Sequence, residues 1–600
     1  MKASRRSLLP TAVVICLLAA GPCRAQQQAS ATVTVDTSPA GRQQTVDGFG
    51  TCLSGAEGQQ DWWQSLYFDD LRCSLLRVDL TPQFVSPYAD FTYNSPWFHN
   101  HPALPGPDGN NARVYTSAAD YTRAWTFSVN GQDVTQQAQI AVMGPDIDQN
   151  VALFDFGGLQ TAGVVAQAGQ ARRARLGDFK LFGSLWSPAP WVKVSSGNTI
   201  SGYGWPLPAD GTAWPFVWAG NFAGGRLDTS DVPLPAFDDS KLGGTGPTSA
   251  LTQFARCTAA YLRGFQNRYG VKFYAVSVQN ELNFEEFYNS CTYPLSSQYL
   301  AALKRLRAEL DKYPDLAGIR IEGPEDLLGG DAYALWQYGS GASAVHKNLQ
   351  YLQNVAADPQ AAAALDFVSI HGYAPDGVNS AGADPTSWNW WANGWTTSPA
   401  AGIPANVPGF AGYGKKSWMT ETSGEDPAWL SPAGGFPNNG AFSIALKLHQ
   451  ALTAGRESGW AYWQFTDGNA VGTQTLTDAT ALATSPKYAA VKHFFACVRP
   501  GAVRVNASVS TAAGPPLLAS AYVQDADYSL TVVLVNPSAS AVSATVAVPA
   551  YPQGLGSFQG YTSSDGSYWQ NAKVSVQDGQ AAVSVPGYGV VTLYGVGLNA

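Results

Sequence analysis

Between about residue 45 and residue 497, short apolar runs alternate with longer segments of helical periodicity, and this alternation most narrows what the chain can fold into. The runs are VDGFGTCLS (46–54), CSLLRVDL (73–80), FKLFGSLW (179–186), KFYAVSVQ (272–279), GIRIEG (318–323), DFVSIHGY (366–373), KKSWMTE (415–421) and GWAYWQF (459–465). Segments 248–270, 296–313, 441–455 and 486–498, lying between or after them, carry apolar residues three and four apart, the spacing of one helix face. Eight strands alternating with helices close into an α/β (β/α)8 TIM barrel over residues 46–497. A doubly wound open sheet is the alternative for the same alternation, but no Gly-rich phosphate loop follows any of the strands.

Two stretches interrupt the pattern. Residues 83–157 and 195–247 are rich in Tyr, Trp, Asn, Pro and Gly. Each follows a strand, which in a barrel puts it on the C-terminal face, where active sites are built. After VRPGAVRV (498–505) the texture changes to short alternating stretches such as YSLTVVLVN, SATVAVPA and GVVTLYGV, punctuated by Gly, Ser and Pro. Residues 498–600 therefore read as an appended antiparallel β-sandwich domain. The early segment 31–45, with its ATVTVD run, is expected to add a strand to it.

The first 25 residues have the basic start, apolar run and small-residue end of a cleaved signal peptide. Cys23 would carry a lipid only with a small residue before it, and Pro22 stands there. The expectation is a secreted protein, extracellular or periplasmic, with no membrane anchor. Losing the four basic residues of the leader takes the formal charge from −9 to −13, which argues against nucleic acid as a partner. Charged residues are only 13% of the chain, while it holds 19 Trp and 27 Tyr. That balance suits a surface that meets neutral polar molecules, sugars among them. Five cysteines remain after cleavage, with Cys52–Cys73 the pairing an oxidising compartment would favour. There is no HExxH, no CxxC and no His-rich cluster, so no metal or other cofactor is expected.

Chemistry concentrates at strand ends. Glu281 directly follows the apolar run FYAVSVQ, and Glu421 closes the run KSWMTE. Two carboxylates at the tips of separate barrel strands face one another across the mouth. This is the arrangement for retaining glycoside hydrolysis, in which one acid protonates the leaving oxygen and the other attacks the anomeric carbon. Glu285 and Glu286 fall in the loop or helix start after Glu281, where acids commonly cap or face solvent.

The sequence resembles glycoside hydrolase family 30, a family of retaining (β/α)8-barrel enzymes. The motifs are VDGFGTCLSGAE, LLRVDL, FGSLWSPAPWVK, SVQNEL, SIHGY, WMTE and GWAYWQF in that order, followed by the junction HFFACVRPGAVRV. The resemblance implies Glu281 as general acid/base, Asn280 on the substrate's 2-hydroxyl and Glu421 as nucleophile. It implies Arg77 and Tyr373 as the groups holding Glu421 ionised, and His371, Trp186 and Trp463 as the walls of the sugar subsite, with Trp460 either a further wall or core. QNEL stands where the family more usually has QNEP, which leaves the course of the following loop open. The expected substrate is a β-linked neutral polysaccharide such as a β-1,6-galactan or β-1,6-glucan. Residues 466–486 carry no Lys or Arg to read an acidic branch. A glucosylceramidase-like or xylan-directed enzyme, a transglycosylase and a retired carbohydrate-binding barrel are the rival readings.

Overall fold

The computed structural model describes residues 29–85, 124–129, 132–137, 141–189, 192–195, 199–200, 205–206, 225–227, 249–282, 291–293, 295–327, 338, 349–373, 385–431, 439–511 and 517–598. The chain enters through β1 (Ala29–Asp36) and β2 (Arg42–Thr45), which belong to the distal β domain. It then lays down eight parallel strands: β3 (Gly48–Cys52), β4 (Leu75–Leu80), β5 (Lys180–Leu185), β6 (Ala275–Ser277), β7 (Arg320–Leu327), β8 (Phe367–His371), β9 (Ser417–Glu421) and β10 (Gly459–Tyr462). These pair in sequence order, and β10 closes on β3. The result is a TIM barrel, as the alternation predicts.

The strands alternate as a barrel wall must, with every second side chain turned inward. Leu75, Phe182, Ala275, Phe367, Trp418 and Ala461 meet at the base in a separate apolar cluster. Two residues further along β4, β5, β6 and β8 the inward positions become Arg77, Ser184, Ser277 and Ser369, all buried. The interior thus turns from apolar to hydrogen-bonding and charged as it approaches the mouth. Close strand approach is enforced at Gly50, where a Cβ would lie 1.9 Å from the Leu75 carbonyl oxygen.

Helices pack outside the barrel, among them α1 (Gln160–Ala171), α2 (Ala250–Tyr269), α3 (Ser296–Leu310), α4 (Leu349–Ala357), α5 (Phe442–Thr453) and α6 (Pro486–Phe495). Their ends follow local chemistry. Ser249 caps α2 by accepting from the Thr252 N–H, and Gly270 ends it at φ 68°, a left-handed conformation that costs glycine little. Ser485 caps α6, with Pro486 in its first turn. The insertion after β4 is described mainly at its return, where Phe154 and Phe156 pack against Tyr261 of α2.

Beyond the barrel lie β11 (Val503–Thr511), β12 (Leu518–Gln524), β13 (Ser529–Asn536), β14 (Val542–Ala547), β15 (Ser557–Ser564), β16 (Ser567–Gln577), β17 (Gln580–Val585) and β18 (Gly589–Val596). With β1 and β2 they form one ten-stranded sheet that curls on itself, because β1 pairs with both β14 and β11. Every pairing in it is antiparallel except β1 with β14, so the domain is a mixed rather than purely antiparallel sandwich. Its inward residues form their own core around Val33, Val532, Leu534 and Leu593.

The expected Cys52–Cys73 bridge is absent. Both cysteines are buried and in no disulfide, as are Cys257, Cys291 and Cys497. Cys52 lies in register with Arg77, four residues along β4 from the position of Cys73. At about 3.3 Å per residue the two cysteines sit at opposite ends of neighbouring strands, too far apart for a disulfide.

Candidate active site

The strand tips bring the sequence-selected residues to the barrel mouth. Arg77, fully buried on β4, is the hub. Its Nη1 donates to Glu421 Oε2 at 2.8 Å, its Nη2 to Asn280 Oδ1 at 2.6 Å and its Nε to Glu325 Oε1 at 3.1 Å. Nη1 also lies 3.3 Å from the Cys52 sulfur and 3.4 Å from Asp79 Oδ1. One guanidinium thus spans four strand ends, a task its rigid donor fork suits better than an ammonium would.

Glu281 is pinned between neighbouring strands. The Asn280 N–H donates to the Leu185 carbonyl at 2.7 Å and the Glu281 N–H to the Glu325 carbonyl at 2.9 Å. Glu281 itself adopts φ 44°, so the chain turns sharply at this residue. Its Oε1 lies 2.9 Å from His371 Nδ1. Glu421, at the end of β9, takes the Arg77 bond on one carboxylate oxygen and the Tyr373 hydroxyl on the other. Carboxylate oxygens of Glu281 and Glu421 and a nitrogen of His371 all lie within 4.8 Å of one another. Asn280 leaves its Nδ2 without a partner among the described residues, although the side chain is fully buried. Trp186, after β5, and Trp463, after β10, meet across the mouth with ring centroids 5.7 Å apart and planes tilted by 34°. Trp460 is core, packed on Phe495. Glu285 and Glu286 lie outside the described residues.

Burial and the neighbouring Glu281 push Glu421 up to about 7, against the pull of His371, Arg77 and the Tyr373 hydroxyl. Two carboxyls this close disfavour each other's charge. His371 would lose its charge to burial, but Glu421, Glu281 and Glu325 around it raise it to about 10, so it is an imidazolium at neutral pH. Burial and the charge of Glu421 push the Tyr373 phenol far up, which keeps it a hydrogen-bond donor.

Glu325 and Asp79 were not among the residues selected from sequence. Glu325 lies at a register shift in β7 with φ 52°, buried and bonded to Arg77, to Ser184 and, at 2.6 Å, to Ser277. The apolar run GIRIEG stops at Gly323, and the sequence EDL after it carries no strand signal. Asp79, two residues after Arg77 on the same strand face, keeps its side chain 36% exposed beside Arg77. The spacing of two from an inward arginine was the available signal for it.

Glu281, His371 and Glu421 are also the one group among the described residues whose donor atoms lie close enough to share a metal ion. A divalent cation there would displace the guanidinium 2.8 Å from Glu421 and the imidazole 2.9 Å from Glu281, which already meet the charge of both carboxylates. The donor set fits an acid–nucleophile pair better than a metal centre.

Fold and site together define a class: a (β/α)8 barrel joined to a β domain built from both chain ends, with paired glutamates at the strand tips. The fold is that of glycoside hydrolase family 30. The endoxylanase of this family from Clostridium papyrosolvens C71 aligns over 94% of this chain and 100% of its own, with a TM-score of 0.56 and 16% identity. The catalytic domain of the family 30 xylanase C from Talaromyces cellulolyticus gives the same values. The endo-β1,6-glucanase BT3312 aligns over 94% of both chains, with a TM-score of 0.55 and 16% identity. No family model and no curated protein matches the sequence.

Proposed function

We propose that the protein is a secreted retaining hydrolase of glycoside hydrolase family 30 that cleaves β-glycosidic bonds in a neutral polysaccharide, β-1,6-glucan or β-1,6-galactan first among them. The observation that carries this reading is the approach of Glu281 and Glu421 oxygens to within 4.8 Å at the mouth. Retaining pairs sit roughly 5 Å apart, whereas inverting pairs leave several ångströms more for a water molecule. In the first step Glu421 attacks the anomeric carbon while Glu281 gives its proton to the departing glycosidic oxygen. In the second, Glu281 takes a proton from water, which attacks the same carbon and releases Glu421. Arg77 and Tyr373 each donate to one oxygen of Glu421, which favours its ionised form. The unpartnered Asn280 amide is the donor for a sugar hydroxyl, and Trp186 and Trp463 offer ring faces to the sugar. The secretory pattern of residues 1–25 and the acidic charge favour a neutral extracellular glycan, and among the described residues no helix is long and apolar enough to cross a membrane.

Structural neighbours of similar TM-score include both a β-1,6-glucanase and xylanases. Residues 466–486, after β10, hold no Lys or Arg, which weighs against an acidic branch. The test is hydrolysis of a panel of neutral and acidic β-glycans, with products separated by chromatography, the first-formed anomer read by NMR, and Glu421→Ala as control. Short β-anomeric oligosaccharides from a β-1,6-linked polymer, absent in the control, are the expected result. Products from glucuronoxylan alone would overturn the substrate. Release of an α-anomer first would overturn the mechanism, and binding with no turnover on any glycan would overturn the activity.

A further inference from the structure

A third buried carboxyl is bonded to the same Arg77 as Glu421, and double displacement uses only Glu281 and Glu421. Glu325 has no role in bond making, yet it is the most completely enclosed of the three and the best tied. Its carboxylate accepts from Arg77 Nε at 3.1 Å, from Ser277 at 2.6 Å and from Ser184, and lies 3.9 Å from His371 Nε2. Its backbone carbonyl takes the Glu281 N–H at 2.9 Å, and its own N–H donates to Ser369 Oγ at 3.2 Å. Through Arg77 it reaches Glu421 and Asn280, and through its carbonyl it reaches Glu281.

Counting charge shows what such a residue is for. Resting on the two-glutamate reading, the active state needs Glu421 ionised and Glu281 carrying a proton. The buried cations beside them are Arg77 and His371. With Glu421 alone as counter-ion the cluster would hold one excess positive charge in a site shut off from solvent, and a proton would leave either His371 or Glu281. Glu325 supplies the second negative charge. Its own ionisation is secured by Arg77, His371 and Ser184, which hold it well below the usual carboxylate range despite burial.

The other groups facing the cluster do not replace it. Glu322, on the same strand, is driven far up by burial and by Glu325, and stays neutral. Cys52 from β3 is likewise pushed up and remains a thiol. Tyr373, after β8, stays a phenol. Asp79 from β4 also reaches Arg77 Nη1, at 3.4 Å, but its side chain is 36% exposed and burial raises it to about 6 against the pull of Arg77 and the Trp186 indole, so it holds its negative charge less firmly than Glu325. Asp326 is buried next to Glu325 on β7 and already makes an interaction of its own.

We infer that Glu325 is a positioning residue that fixes the proton inventory of the site: its fixed negative charge keeps His371 an imidazolium and thereby keeps one proton on the Glu281–Glu421 pair at working pH. The consequence is a pH signature that a packing role would not give. Glu325→Gln keeps shape and removes charge, so the cluster becomes one charge more positive and releases its shared proton earlier. The alkaline limb of kcat/KM on a natural glycan should move down by about one pH unit or more. The shift should shrink on an aryl glycoside with an activated leaving group, which needs no protonation. Glu325→Asp keeps the charge and should leave the limb close to its original position, whatever it does to the rate. Equal rate losses in the two variants, with the limb unmoved in both, would overturn the inference.

A second readout needs neither turnover nor a variant of Glu325. In the wild-type protein the 15N shifts of His371, assigned by their loss in His371→Gln, should report an imidazolium through pH 8. A neutral ring at pH 7 would overturn the inference even if Glu325→Gln does not fold. If the wild type cleaves no glycan, the hydrolase reading falls, while a His371 that is charged at pH 8 in the wild type and neutral there in Glu325→Gln keeps the role of Glu325 in setting charge.

Discussion

At the scale of single residues, the site gives two carboxyls two different environments. Glu421 carries a donor on each oxygen, and Glu281 has an imidazolium at one oxygen. Glu281→Ala should therefore lose about 100-fold or more on a glycan with a poor leaving group and far less on an activated aryl glycoside. Comparable losses on both substrates would mean that Glu281 does not protonate the leaving group. The pH profile follows from Glu421. Glu421 sits at about 7 and must be ionised to attack. Activity should then rise as pH rises through about 7, as that proton leaves, and kcat/KM against pH would show it. An acid limb several units lower would mean that Glu421 is already ionised well below neutral pH. Most of these residues were legible from sequence because each follows an apolar strand run directly, as Asn280 and Glu281 follow FYAVSVQ and Glu421 ends KSWMTE. Glu325 was not, because it sits beyond Pro324, which has no N–H for the ladder, in a kinked stretch whose inward aim comes from the register shift rather than from period-two alternation.

At the scale of elements, the loops after β9 and β10 are tied together by a second buried ionic group. Glu425, four residues past Glu421, pairs with Lys447 of α5 and accepts from the Tyr462 hydroxyl at 2.7 Å. Lys487, at the start of α6, donates to the carbonyls of Glu425, Gly472 and Thr473 at 3.0, 2.7 and 2.9 Å. Two helices thus hold the segment that carries the Glu421 strand end. Lys447→Met should destabilise the protein by about 3–5 kcal/mol, since it leaves Glu425 buried without its closest counter-charge. Changing Glu425→Gln together with Lys447→Met should recover much of that loss. Chemical denaturation of the three variants checks it: a single mutant within about 0.5 kcal/mol of wild type would mean that the pair adds little. Sequence periodicity shows α5 and α6 as helices with apolar faces but gives no sign that their lysines point inward. Long side chains that bury their stems and meet their acceptors only at the tip leave no periodic trace.

At the scale of the whole molecule, barrel and β domain are joined through a contact that is sensitive to acid. The change of texture after residue 498 and the early ATVTVD run were enough to expect a second domain sewn from both chain ends. What composition could not show is how it seats on the barrel. Trp429 donates its indole N–H to the Tyr588 carbonyl at 2.8 Å, and Tyr568 packs on the same indole. At the centre His493 of α6 reaches into the sheet, with Nδ1 2.9 Å from Thr592 Oγ1 and Nε2 2.8 Å from Ser563 Oγ. The Thr592 hydroxyl is spent on the His493 carbonyl at 3.0 Å, so Nδ1 carries the hydrogen and Nε2 accepts from Ser563. A second proton at Nε2 would turn that acceptor into a donor facing a hydroxyl, in a fully buried place beside Lys492. Burial first, and then the Lys492 charge, accordingly lower His493 to about 3. The sign of the linkage follows. Below about 6.5 the unfolded imidazole takes up a proton and the folded one does not, so this group costs stability as pH falls from about 6.5 towards 3, at up to about 1.4 kcal/mol per pH unit. Wild type and His493→Gln should therefore show unfolding free energies whose difference changes in favour of the variant between pH 6.5 and 4. His449, lowered to about 4 by burial and Arg504, loses stability over the same range and is common to both proteins, so it drops out of that difference. Parallel curves would mean that His493 is already charged in the folded seam, and that the domains are held together by some other contact than the one drawn here.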